Sequence, residues 1–195
     1  MLEQENARDN NSLGDRLSSF FCHIAGRSPI LKNILYFVCP IEHSQSEGTM
    51  TSRVTQVLNS FVGGHNCCQS MLAAYCQIHG LDRETALKLG TGMGGGVGHS
   101  GELCGFVNGA CLLLGLKYGT DAPESKLKLN PICLEFCNAF KEKFGSVNCR
   151  DIIKRDISTM EATIKAKEEG VFQICGECGQ FIAELLENKY DILNP

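Results

Sequence analysis

The sequence predicts an all-α fold: a compact helical bundle with a glycine-rich loop ahead of a central buried helix. Three observations carry this. From Met50 onward apolar residues recur at three- and four-residue spacing, and no run alternates as a strand would. Helix stops and starts are marked by glycines and by Asn or Asp at cap positions. One run, "CGFVNGACLLLGLKYG" (104–119), is apolar on almost every side, as suits a helix surrounded by others.

Taken in order, Val54, Val57, Leu58, Phe61 and Val62 mark one face of a first helix that stops at Gly63–Gly64. Cys67 to Ile78 forms the second, with Met71, Leu72, Tyr75 and Cys76 at helical spacing and Gly80 as its stop. Asp82 caps a third, "RETALKLG", before the glycine run. The apolar 104–119 segment is the fourth. Ser125 to Phe144 is the fifth, where Pro131 predicts a bend or restart, and Cys133, Phe136, Cys137, Phe140 and Phe144 line its apolar face. Short helices follow from Asn148 and Ser158. The last runs from about Cys175 to Asn188 with Phe181, Ile182, Leu185 and Leu186 inward. Residues 1–49, a polar start and an apolar patch ending at Cys39–Pro40, read as an N-terminal extension to a four-cysteine helical domain at 50–195.

A chain of 195 residues, 43% apolar and 21% charged, is long enough for one globular core. A formal net charge of −4 argues against nucleic acid as a partner, since phosphate binding needs a basic face. The polar first twenty residues lack the pattern of a secretory leader. The apolar patch at 20–40 is broken by Arg27, Pro29, Lys32 and Asn33, so no membrane span is expected. A cytoplasmic, reducing setting follows as the expectation. There, twelve cysteines are redox groups or metal ligands before they are structural disulfides.

The stretch "TGMGGGVGHSGELCG" (91–105) contains "GVGHSG", a match to G-x-G-x-x-G. The dinucleotide fingerprint needs a preceding strand and a βαβ unit, and a phosphate loop would close on Gly-Lys-Ser/Thr; neither is present. Two readings remain, a mobile linker or a close-approach loop that brings backbone N–H groups to an anionic atom. In the second, Gly94, Gly95, Gly96 and Gly105 are the candidates to line a bound group, and Cys104 is the residue the loop delivers.

The cysteines sort by context. Cys76, Cys111, Cys133 and Cys137 fall on apolar helical faces and read as inert core thiols. Cys22 and Cys39 lie in the extension. Cys67 follows Asn66, Cys149 follows Asn148, Cys104 opens the apolar helix, and Cys175 and Cys178 bracket the start of the last helix. All of these are in or beside a first helical turn, where free N–H groups and the helix dipole favour a thiolate and lower its pKa. "CGEC" (175–178) lacks the βαβ setting of a thioredoxin dithiol, and no second Cys-x-x-Cys completes a zinc ribbon. His65, His99 and Arg150 lie near candidate cysteines, with solvated loop and surface positions as their default.

From Met50 to about Leu186 the chain resembles the C_GCAxxG_C_C family of redox-active proteins. The resemblance is carried by "NCCQSML" (66–72), "GMGGGVGHSGELCG" (92–105) with "NGACLLLGLKYG" (108–119), "FKEKFGSVNCRDII" (140–153) and "KAKEEGVFQICGECGQFIAELLE" (165–187). It places the family cysteines on Cys67, Cys104, Cys149 and Cys178. The family's Cys-Gly-Ala-x-x-Gly stretch reads "CGFVNG" (104–109) here, with Phe106 in place of alanine, and Cys68 and Cys175 are additional. Three functions stay open. A cysteine-based redox protein, in effect a thiol-based oxidoreductase, would exchange electrons with a partner protein or a small thiol. A metal-binding module would hold an iron–sulfur cluster or zinc through the same four cysteines. A structural helical protein would carry buried, inert cysteines.

Overall fold

The computed structural model describes residues 51–195, which fold into eight α-helices with no strand among them. The 1–49 extension, Cys22 and Cys39 lie outside the described residues. No helix among these residues is long and apolar enough to cross a membrane.

Local chemistry sets the early helices. Helix α1 (Arg53–Val62) starts where the Ser52 hydroxyl accepts the Thr55 N–H. Helix α2 (Cys67–Tyr75) opens on a reciprocal capping box: Asn66 Oδ1 accepts the Gln69 N–H at 3.0 Å, and Gln69 Oε1 accepts the Asn66 N–H at 3.1 Å. It tightens into a 3₁₀ turn, Cys76–His79, and stops at Gly80 in the left-handed region. Helix α3 (Arg83–Gly90) is capped by Asp82, as its spacing predicts, and a 3₁₀ turn at Thr91–Met93 leads into the glycine loop.

Helix α4 (Gly105–Tyr118) buries Phe106, Val107, Ala110, Leu113 and Leu114. It lies against α2 without side chains between the backbones. A Cβ on Gly105 would stand 2.9 Å from Cys67 Cβ, and one on Gly109 would stand 2.8 Å from Met71 Cβ. Two glycines one turn apart therefore set the α2–α4 contact on which the fold centres. Helix α2 is also packed by α1, by α3 and by the last helix, α8 (Gln173–Lys189).

Helix α5 (Ser125–Phe144) runs unbroken for 20 residues through Pro131, where a restart is the sequence expectation. Proline removes one amide donor, and the carbonyl left over is that of Leu127, a residue 70% exposed, on the solvent side of the helix. After the left-handed stop at Gly145 come the short α6 (Cys149–Ile153) and α7 (Met160–Glu168). The C-terminal tail is pinned to the bundle by the Tyr118 hydroxyl donating to the Tyr190 carbonyl and by His79 Nε2 on the Ile192 carbonyl.

A candidate thiol centre at the glycine loop

Four chain segments meet at one end of α2. The capping box of α2 also docks α3: Asn66 Nδ2 donates to the Gly90 and Thr91 carbonyls, each at 3.0 Å, and Gln69 Nε2 donates to Leu87 O. Cys67, the first residue of α2, is thereby fixed beside the entrance to the loop.

The loop has an unusual backbone. Gly95, Gly96, Val97, Gly98 and His99 all hold positive φ, between 59° and 76°, a short left-handed run that includes a β-branched residue. Long-reach amide bonds close it: Gly98 N–H to Gly92 O (2.8 Å), Gly101 N–H to Gly95 O (3.0 Å) and Glu102 N–H to Gly96 O (3.1 Å). Gly94 rests on Asn66, with room for no side chain, since a Cβ there would come 2.6 Å from Asn66 Cβ. Of the glycines proposed from sequence to line a bound group, Gly94 thus meets Asn66, Gly95 meets His99, Gly96 meets Glu102 and Gly105 meets Cys67.

From the loop the chain runs alongside the segment that leads into α6. Leu103 and Asn148 form an isolated antiparallel bridge, the Cys104 N–H donates to Val147 O (2.8 Å), and the Cys149 N–H donates to Glu102 O (2.7 Å). This pairing sets Cys104 and Cys149 next to each other. Arg150 clasps the outside. Its guanidinium donates to the Ser100 and Gly101 carbonyls and pairs with the Glu102 carboxylate. Its role is structural, a clamp on the loop; sequence context left it a surface arginine.

The last helix brings the remaining sulfurs. It begins at Gln173, two residues ahead of the start expected from sequence, so Cys175 is in the first turn and Cys178 in the second. Cys67 and Cys175 interact directly, thiol with thiol. Cys104 and Cys175 act electrostatically on Cys67, Cys149 and Cys178, and Cys104 acts on Cys68 as well. Cys67, Cys104, Cys149 and Cys178 thus all lie within electrostatic range of Cys175. Cys67 is half-buried; Cys104, Cys149, Cys175 and Cys178 are 6%, 7%, 7% and 1% exposed. Cys68 is fully buried on the side of α2 that meets α4.

Burial reverses the expected electrostatics. Helix-start placement predicts lowered thiol pKa values throughout, but desolvation pushes Cys104 up to about 11 and Cys149 to about 12, and Cys178 is raised as well. The first-turn N–H groups of Val107 and Phe106 pull Cys104 back only in part. Asn148 occupies the cap position of α6 without a cap hydrogen bond; its side chain reaches Asp151 instead. In the Cys67–Cys175 pair, the interaction between the two thiols raises Cys67 and lowers Cys175. Cys175 is the one thiol of the group held below its ordinary value.

Phe106, the departure from the family's alanine, has a defined seat. Its ring is fully buried, 5.4 Å from the Phe61 ring, and lies on Gly179, where a Cβ would stand 2.9 Å from Phe106 Cζ. The bulky ring is matched by a missing side chain on α8, beside Cys178. Phe106→Ala is expected to cost about 3–5 kcal/mol, and Gly179→Ala about 1–3 kcal/mol by overpacking. In the double variant the new methyl occupies vacated space, so the combined cost falls below the sum by about 1 kcal/mol or more. A urea-denaturation mutant cycle reads this directly; strictly additive costs would show that the two positions do not share space.

One other set of residues differs from its sequence assignment. Cys76 is core, but Cys111, Cys133 and Cys137 are only half-buried, because they lie along the open seam between α4 and α5. His65 engages Ser60, and His99, though exposed, engages the Ile157 carbonyl and Thr163. Among the described residues no three His, Cys, Asp or Glu side chains are placed to hold a metal ion.

Residues 65–189, more than half of the chain and inclusive of every sulfur of this centre, match the model of the family described as "Putative redox-active protein (C_GCAxxG_C_C)". No curated protein and no solved structure matches the chain.

Proposed function

Because this chain belongs to the C_GCAxxG_C_C family of redox-active proteins, we propose that it acts by thiol–disulfide exchange, with Cys67 and Cys175 as the working pair. One observation carries this reading: of these thiols, Cys67 and Cys175 interact directly, one held above and the other below its ordinary value. Such a pair titrates as a unit, one sulfur taking the proton the other gives up.

Cys67, half-buried where the others are nearly closed off, meets the incoming disulfide. Its thiol passes its proton to the Cys175 thiolate as its sulfur attacks; the substrate S–S bond breaks and one half leaves as a thiolate. Cys175 then attacks Cys67 in the mixed disulfide. A Cys67–Cys175 disulfide forms, and the second substrate half leaves with the Cys175 proton as a thiol. The balance is two protein sulfurs oxidised and one disulfide reduced to two thiols, and the reverse sequence oxidises a substrate dithiol. Cys104, Cys149 and Cys178, raised by burial, stay protonated at neutral pH and surround the pair with neutral sulfur. Gly105 supports the geometry by letting α4 begin directly against Cys67.

The test is a redox titration of the full chain, purified anaerobically, in dithiol/disulfide buffers, with alkylation and fragment-resolved mass mapping at each point. A Cys67–Cys175 cross-link that appears as a two-electron transition is the expected result. Stoichiometric iron or zinc in the same material, or Cys67 and Cys175 alkylation that ignores the buffer potential, would overturn it.

A further inference from the structure

Three helices run in the same direction at the thiol centre. Gly105 faces Cys67 and, one turn on, Gly109 faces Met71, so α2 and α4 advance together from a shared level. On α8, Gly179 lies against Phe106, near the start of α4. About two turns further along α8, the Glu187 carboxylate accepts the Tyr75 hydroxyl at 2.7 Å, at the far end of α2. Helix α8 therefore runs parallel to the other two. Adjacent N-termini bring like poles together, each equivalent to about half a positive charge, and an anion relieves that arrangement.

The start of α2 has donors to spare. Of its orphan amides, the capping box uses those of Asn66 (3.1 Å to Gln69 Oε1) and Gln69 (3.0 Å to Asn66 Oδ1). The N–H groups of Cys67 and Cys68 have no acceptor among the described residues. No Asp or Glu occurs from Gly63 to Gln69 or from Leu89 to Gly101, so neither this helix start nor the loop beside it carries negative charge. Glu177, on α8, is exposed.

An independent observation marks the same place. Ser70 is fully buried, and its hydroxyl has no hydrogen-bond partner among the described residues. It stands one turn after Cys67, on the same face of α2. Helical side chains lean toward the N-terminus, which aims this hydroxyl at the turn that Cys67 begins. A buried hydroxyl without a partner costs free energy that a bound anion would recover.

We propose that the start of α2 is an anion site, where the Cys67 and Cys68 N–H groups and the Ser70 hydroxyl hold a carboxylate of the incoming molecule, and that the centre therefore takes small carboxylate-bearing disulfides. The substrate class rests on the reading of Cys67 as the sulfur that meets the disulfide; the anion site does not. Small size follows from crowding, since Gly94 and Gly105 close on Asn66 and Cys67 with no room for a side chain. A carboxylate held at the helix start brings the attached S–S bond to the Cys67 sulfur, on the first residue of the same helix.

The experiment alkylates the reduced full chain, kept anaerobic, with iodoacetate or with iodoacetamide, and reads Cys67 alone by peptide mass mapping. With either reagent the Cys67 sulfur forms an S–C bond and displaces iodide, its proton passing to the buffer; only iodoacetate carries a carboxylate. The iodoacetate-to-iodoacetamide rate ratio at Cys67 is expected to be at least about ten-fold higher in the folded chain than in the same chain in urea. Ser70→Ala should remove most of that excess and raise Tm, because it deletes an unpaired hydroxyl; a purely structural Ser70 would move Tm alone. A ratio unchanged by folding, a Cys67 that neither reagent reaches in the folded chain, or an excess that survives Ser70→Ala would each overturn the anion site. Exchange rates then separate the substrate class from the exchange itself. Disulfides bearing carboxylates, hydroxyls or amines that oxidise Cys67 and Cys175 equally fast would sink the class and leave the pair standing. An iodoacetate excess in a chain that never forms the Cys67–Cys175 cross-link would end the pair and leave the anion site.

Discussion

Cys175→Ser is expected to abolish turnover of a chromogenic aromatic disulfide while leaving the fold intact. Serine keeps the size and the first-turn position on α8 but cannot accept the Cys67 proton as a thiolate does, and it cannot close the second disulfide. Losing the proton acceptor alone costs about 10²–10⁴-fold in rate, and losing the resolving sulfur stalls Cys67 in a mixed disulfide that mass spectrometry detects as one added substrate half. Cys178→Ser is the contrasting change. Cys178 is 1% exposed and raised by burial, and the proposed exchange leaves it outside the working pair. That variant is expected to lose stability, by about 1–3 kcal/mol for a buried hydroxyl, and to retain the Cys67–Cys175 couple. Stopped-flow rates with each variant, alongside circular dichroism to confirm folding, settle the assignment. Turnover that survives Cys175→Ser and disappears in Cys178→Ser would make Cys178 the partner of Cys67 and end the proposed pairing.

That contrast also shows where sequence reasoning stopped. Caps and stops are local chemistry, so Asn66, Asp82, Gly80 and Gly145 announce their helix ends, and the observed helices start and finish close to them. The grouping of Cys67, Cys104 and Cys149 was approachable for the same reason, each lying at a recognisable helix start. The last helix carried no such signal. Phe172 precedes it without a cap hydrogen bond, and an earlier start turns Cys175 toward Cys67 and moves Cys178 to the next turn. Thiol pKa values were misjudged because a helix start is legible in sequence, whereas the depth at which it is buried belongs to tertiary packing. The seam thiols failed for a related cause. Cys111, Cys133 and Cys137 fit an apolar face at helical spacing, and only the rotation of α4 against α5 decides that this face edge stays open. The left-handed run was hidden by Val97, whose branched side chain argues against the conformation it holds.

Gly96→Ala is expected to dismantle the loop and expose the sulfurs behind it, while Gly98→Ala does neither. Both glycines have positive φ, 76° and 59°, so both alanines carry the left-handed penalty of about 1–2 kcal/mol. They differ in what the methyl meets. At Gly98 nothing lies within 4 Å, whereas at Gly96 a Cβ would stand 2.4 Å from the Glu102 nitrogen and 2.6 Å from its carbonyl oxygen. These are backbone atoms without a rotamer to retreat into, and Glu102 O is the acceptor of the Cys149 N–H. Overpacking adds about 1–3 kcal/mol, for a total of about 2–5 kcal/mol and, at about 2–4 °C per kcal/mol, a fall in Tm of about 10 °C. Displacing Glu102 also opens the strip where Cys104 and Cys149 pair, so these two thiols should be alkylated rapidly in folded Gly96→Ala and stay protected in Gly98→Ala. Equal melting temperatures and equal protection would mean that the loop yields to the methyl without moving Glu102. The connection from the glycine run to the sulfurs would then be broken at its first step.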